Sequence, residues 1–166
     1  MATRPPSDAV VALRSLERRF RGLFAGREDD ESPDDLAHRI GPDGHAAIDH
    51  VVAATRGITF LGRALEQLLV EDDPALHPAV VDRTAREWGD PPGGTVEERL
   101  AELAGEADTL ADRVEHVPAS DWSRHARVAG NDADVSALDV LWDAVDNAVE
   151  HLRDAERTMA AVRGRS

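Results

Sequence analysis

Apolar residues recur at steps of three and four along four separate stretches of this 166-residue chain, and no useful length alternates with the period of two that a strand requires. That pattern constrains the fold most, because a stripe of this period is buried only when one helix face packs on another. The first stretch runs from about Asp8 to Phe24, with Val10, Leu13, Leu16, Phe20, Leu23 and Phe24 on its face and Ser7 or Asp8 as its cap. The second spans about His45 to Glu71 and carries Ala47, Val51, Ala54, Ile58, Leu61, Leu65 and Leu68, with Pro74 just beyond its end. Thr95-Val-Glu-Glu98 opens the third as a capping box, in which Thr95 caps and Glu98 bonds back; Leu100, Leu103, Ala107, Leu110 and Val114 form its face. A second box, Ser136-Ala-Leu-Asp139, opens the fourth, whose stripe is Leu138, Leu141, Val145, Ala148, Leu152, Ala155 and Met159.

Four such helices pack most simply as an antiparallel four-helix bundle, so residues 1–166 are expected to form a single all-α domain. The run from Gly26 to Pro33 reads as a solvated, charged connector, followed by a short helical turn near Asp34 to Arg39. A longer connector, Asp72 to Gly94, is rich in Pro and Gly and has room for a helical turn between Ala79 and Trp88. Loops of this length are usually functional or disordered. Ala119 to Val135 holds Trp122 and little regular pattern. Trp88 and Trp122 are placed to lid one end of the bundle, and Trp142 to pack within it.

Composition removes several chemistries. The chain has no cysteine, lysine or tyrosine, so thiolate sites, disulfides and lysine Schiff bases are excluded. With 33 acidic against 19 basic residues, the net charge of −14 repels phosphate backbones, and aromatics at 4% offer few stacking platforms. Nucleic acid is therefore not an expected partner. No apolar run approaches the ~18 residues of a membrane span, and the first residues lack a secretory signal, so a cytoplasmic location is expected. Phosphate loops, dinucleotide fingerprints and the Gly-x-Ser-x-Gly elbow are missing.

What remains is histidine and carboxylate chemistry. Of seven histidines, His38, His45, His77, His116 and His125 fall in loops or at helix ends, where exposure is the default. His50 and His151 instead border the apolar stripes of the second and fourth helices. Bundle proteins build metal sites from such inward side chains, and neutral imidazole suits zinc, nickel or iron. Asn147 shares a helix face with His151 and offers a neutral carbonyl oxygen; Asp146, five residues back, points elsewhere around the helix. On the residues alone, hydrogen-bonded structural imidazoles and a metal site of His50, Asn147 and His151 both stand.

Several short segments resemble the DinB-like superfamily, especially its actinobacterial branch near the mycothiol-dependent maleylpyruvate isomerases and thiol transferases. They are Ala46-Ala-Ile-Asp-His50-Val-Val, Leu68-Leu-Val-Glu-Asp-Asp-Pro74, Asp121-Trp-Ser-Arg124, Val135-Ser-Ala-Leu-Asp-Val-Leu141 and Ala144-Val-Asp-Asn-Ala-Val-Glu-His151-Leu-Arg-Asp154. The resemblance implies a divalent metal held between the second and last helices. It matches His151 to the final ligand histidine, Asp154 to an acidic position one turn later, and Asn147 to a position where Glu, Asp or His is usual. It gives two registers for the second-helix ligand, His50 or Ala53.

The function expected from this resemblance is metal-dependent transfer or isomerisation with a low-molecular-weight thiol as cosubstrate, acting on a small electrophile. Arg56 is a cationic candidate for orienting an anionic group. A metal-free bundle serving as a binding module is the alternative. The resemblance also implies homodimerisation through helix faces, with the first helix as a candidate surface.

Overall fold

The four apolar stripes all become long helices in the computed structural model, which describes residues 4–26, 32–89 and 93–164. Helix α1 (Pro6–Leu23) begins on a proline and is preceded by Pro5, with no side-chain cap. Ser7 and Asp8 therefore lie inside its first turn rather than capping it. The Pro6 ring pre-sets the helical φ and wastes no backbone donor there. Its Ala9, Leu13, Leu16 and Phe20 are buried in the bundle, and Val11 is exposed on its outer side.

A five-residue helix, α2 (Pro33–Ala37), follows the charge run, of which residues 27–31 lie outside the described set. Helix α3 (Ala47–Val70) buries its stripe and much of its flanks, because neighbours cover it on several sides. Thr95 Oγ1 accepts from the Glu98 N–H at 3.2 Å to start α5 (Val96–Glu115), while the Glu98 carboxylate lies beside Arg99 instead of bonding back. The box that starts α6 (Ala137–Arg163) is complete, with Ser136 and Asp139 exchanging two 3.0 Å bonds.

The helices form the expected four-helix bundle, α1 packing on α5 and α6, and α3 on α5 and α6. Arg14 pairs with Asp112 and Arg21 with Glu97, so α1 and α5 run antiparallel. Arg4 pairs with Asp146 while Arg163 donates to the Leu23 carbonyl, so α1 and α6 run parallel. Each helix thus has one antiparallel and one parallel neighbour. A parallel neighbour needs a connection that returns along the bundle, and the connector from Glu71 to Thr95 supplies it between α3 and α5.

The strands of a small sheet are the element that the sequence pattern did not announce. β1 (Ala75–Leu76) pairs parallel with β2 (His125–Val128), which pairs antiparallel with β3 (Asp134–Ser136). Pieces this short carry too few alternations to stand out from a loop. The sheet closes the end where α3 stops and α6 starts, and Arg124 donates to the Leu68 and Glu71 carbonyls there. From β1 the chain turns back through a 3-10 turn (Pro78–Val80) into α4 (Arg83–Glu87), which lies on α3. No helix among the described residues is long and apolar enough to cross a membrane.

Candidate metal centre

Because α3 and α6 run antiparallel, the first turns of α3 meet the C-terminal half of α6, and this brings His50 to His151. Their Nδ1 atoms are 3.1 Å apart, and both residues are buried, at 2% and 1% exposure. Ala53, the other register of the resemblance, is a buried methyl in the core.

Each imidazole is held from behind by a carboxylate. Asp43 Oδ2 lies 3.0 Å from His50 Nε2, and Glu87 Oε2 lies 2.7 Å from His151 Nε2. Burial works to raise both carboxyl groups, but it is outweighed. The His45 N–H and His50 hold Asp43 below its ordinary value, and His151 and Arg83 do the same for Glu87. Both therefore act as anionic acceptors. Burial depresses the His50 pKa, with His151 adding to the effect and Asp43 opposing it.

Proton placement follows from these contacts. A carboxylate oxygen within hydrogen-bond distance of an imidazole nitrogen favours the proton on that nitrogen, so with Asp43 and Glu87 as acceptors both neutral rings can carry it on Nε2. The two Nδ1 lone pairs then face each other across 3.1 Å. A metal ion that accepts both lone pairs resolves that repulsion. Two nitrogens each ~2.0–2.1 Å from one tetrahedral zinc ion stand about 3.3 Å apart, close to the 3.1 Å found here, so the pair is spaced to share a metal ion.

Asp154 completes the set. His50, His151 and Asp154 each offer a ligand atom within 4.8 Å of the other two. Asp154 lies three residues beyond His151 and shares its helix face; it is also ion-paired with Arg157. Asn147, one turn before His151, is half-buried, and its Nδ2 is buried with no hydrogen-bond partner. Asp146 makes a bidentate pair with Arg4 at 2.9 and 2.7 Å, away from the histidines.

Trp88 covers the site. It stacks on His45 at 4.1 Å and lies edge-on to His50 and His151 at 5.7 and 5.5 Å. On its other side a cavity of about 330 Å³ is lined by His38, Ile40, His45, Val52, Arg56 and Trp88. Arg56 donates to the Glu87 carbonyl at 3.3 Å. A second cavity of about 330 Å³ opens beside Asp43, Asp154, Arg157 and Thr158. Trp122 is buried, and Trp142 packs beside Arg4, whose guanidinium lies over its ring at 3.8 Å. His38, His77, His116 and His125 are exposed as expected.

Sequence reasoning missed Glu87 and Asp43. The signal available for Glu87 was the length of its connector, which pointed to function without saying which residue carried it.

No protein-family model matches the sequence, and no curated protein matches it. Among solved structures the chain is similar to YfiT from Bacillus subtilis, described as "a probable metal-dependent hydrolase with an unusual four-helix bundle topology". The match covers 96% of this chain and 90% of that one, with a TM-score of 0.71 and 13% identity. It shows a shared four-helix bundle fold.

Proposed function

We propose that this chain is a DinB-like metalloenzyme that holds a divalent ion with His50, His151 and Asp154 and acts on a small electrophilic molecule. The observation that carries the proposal is the pair of Nδ1 atoms 3.1 Å apart, with Asp154 in reach and a carboxylate behind each ring. Carboxylate-backed histidines are the usual arrangement around bound metals. Asn147, on the same face of α6, offers a neutral carbonyl oxygen as a further donor. Zinc, nickel and iron all suit such a mixed nitrogen and oxygen set.

An ion bound there lowers the pKa of a coordinated thiol or water. The chain has no cysteine and no lysine to serve as its own strong nucleophile, which favours an activated external one. The resemblance to thiol transferases supports a low-molecular-weight thiol. The description of YfiT supports water, and hydrolysis is the second reading. In both, Asp43 and Glu87 orient the two imidazoles, and Trp88 shields the site on its cavity side. Arg56 and Arg157, each at a cavity beside the site, are placed to meet an anionic group of a small substrate.

Incubating zinc-loaded protein with an electrophile, with and without a low-molecular-weight thiol, tests the proposal. Turnover that requires both metal and thiol supports transfer; metal-dependent turnover without thiol supports hydrolysis. Neither would be consistent with a binding module only.

A further inference from the structure

We propose that Glu87, steered by Arg83, is a positioning residue that fixes the His151 proton on Nε2 and keeps Nδ1 bare toward His50. The inference rests on the metal reading for its affinity consequence alone. Among the described residues Glu87 is a fully buried charged side chain, at 0% exposure, and the ligand set does not use it. It comes from neither helix of the histidine pair. The connector delivers it from the last residue of α4.

Several contacts fix it there. Arg83 Nε donates to Glu87 Oε2 at 2.9 Å, and Arg83 is in turn clasped by Glu150 one residue before His151. Arg86 anchors α4 by donating to the Ala79 and Val80 carbonyls at 3.1 and 2.9 Å. Across the carboxylate stands Gly57 of α3, where an added Cβ would lie 3.0 Å from Glu87 Oε1. The missing side chain leaves the space that the carboxylate occupies.

Arg83 Nη2 also lies 3.0 Å from His151 Nε2, so two proton arrangements compete. If Nε2 accepted from Arg83, its lone pair would oppose the Glu87 carboxylate at 2.7 Å. With the proton on Nε2, Glu87 Oε2 accepts from both His151 and Arg83. The second arrangement leaves the Arg83 Nη2 contact without an acceptor but keeps the shorter, charge-assisted bond to Glu87 at 2.7 Å, and it is the one that leaves Nδ1 available as a ligand. A carboxylate that merely neutralised Arg83 and Arg86 would have no effect on the imidazole tautomer.

The test compares wild-type protein with Glu87→Gln, whose amide can accept from Nε2–H or donate to a bare Nε2. Imidazole ¹⁵N spectra of the metal-free proteins at mildly alkaline pH report the tautomer, and zinc titration against a chromophoric chelator reports affinity. We expect a single Nε2–H form of His151 in the wild type and an Nδ1–H population in the variant. Zinc affinity should fall about 10–100-fold. An unchanged tautomer in Glu87→Gln overturns the proposal, as does zinc affinity equal to wild type. If the wild type binds no zinc, the ligand reading fails and the tautomer comparison alone decides the positioning role. Gly57→Ala, whose methyl would meet Glu87 Oε1 at 3.0 Å and displace the carboxylate, carries the same comparison should the first variant not fold.

Discussion

His50 Nδ1 and His151 Nδ1 stand 3.1 Å apart although 101 residues separate them in the chain. With Asp43 and Glu87 holding the opposite nitrogens, the two rings present lone pairs to one another in the buried seam between α3 and α6. A metal ion that accepts both lone pairs relieves their repulsion.

Metal should therefore stabilise the fold. At free zinc a hundredfold above its Kd, linkage predicts a gain of about 2.7 kcal/mol in unfolding free energy. Denaturant midpoints with zinc and with a chelator check this, and His50→Gln should remove most of the difference. An equal gain in the variant would place the ion elsewhere.

The metal-free protein should also respond to acid through His50. Burial depresses its pKa below the ordinary 6.5, so the unfolded chain binds the proton more readily than the folded one. Stability is then complete above about 6.5 and declines as pH falls from there toward the lower folded value. The lowered carboxyls of Asp43 and Glu87 contribute a separate loss at more acid pH, below their ordinary range. Urea midpoints across this range for wild type and His50→Gln check the sign. The upper part of the decline should flatten in the variant, and an identical decline would assign it to other groups.

Gly57 and Gly105 make a matched pair in helices. Replacing an exposed helical glycine with alanine typically gains ~0.8–1 kcal/mol, and nothing lies within 4 Å of a Cβ at Gly105. At Gly57 the new methyl meets Glu87 Oε1 at 3.0 Å. Gly105→Ala should show the full gain, and Gly57→Ala little gain or a net loss together with weaker metal binding. Equal gains at both positions would mean that Glu87 is not clamped against α3.

Capping gives a local check on the fold. Ser136→Ala removes one half of the box that starts α6 and should cost ~0.5–2 kcal/mol. Leu65→Ala, at a fully buried position of α3, should cost ~2–5 kcal/mol. A Leu65→Ala loss well below ~2 kcal/mol would contradict the packing described.

The helices were legible because their stripes extend over many turns: Leu61, Leu65 and Leu68 announce a buried face without any partner in view. The strands were not, since Ala75–Leu76 and Asp134–Ser136 are shorter than any detectable period. His50 and His151 could be singled out by their place beside the stripes. Their meeting depended on α3 and α6 running antiparallel, which periodicity does not encode. Glu87 and Asp43 lay in connectors, where a carboxylate reads as solvated until the chain path shows what it touches. The parallel α3 and α5 likewise follow from the course of a long connector, invisible to helix-by-helix reading.

The most direct test is metal content by elemental mass spectrometry on protein purified without an affinity tag, alongside His151→Ala. Near-stoichiometric zinc, nickel or iron in the wild type and its loss in the variant is the predicted result. No bound metal in the wild type, even after incubation with excess divalent ions, would contradict the metal centre and leave the bundle as a binding module.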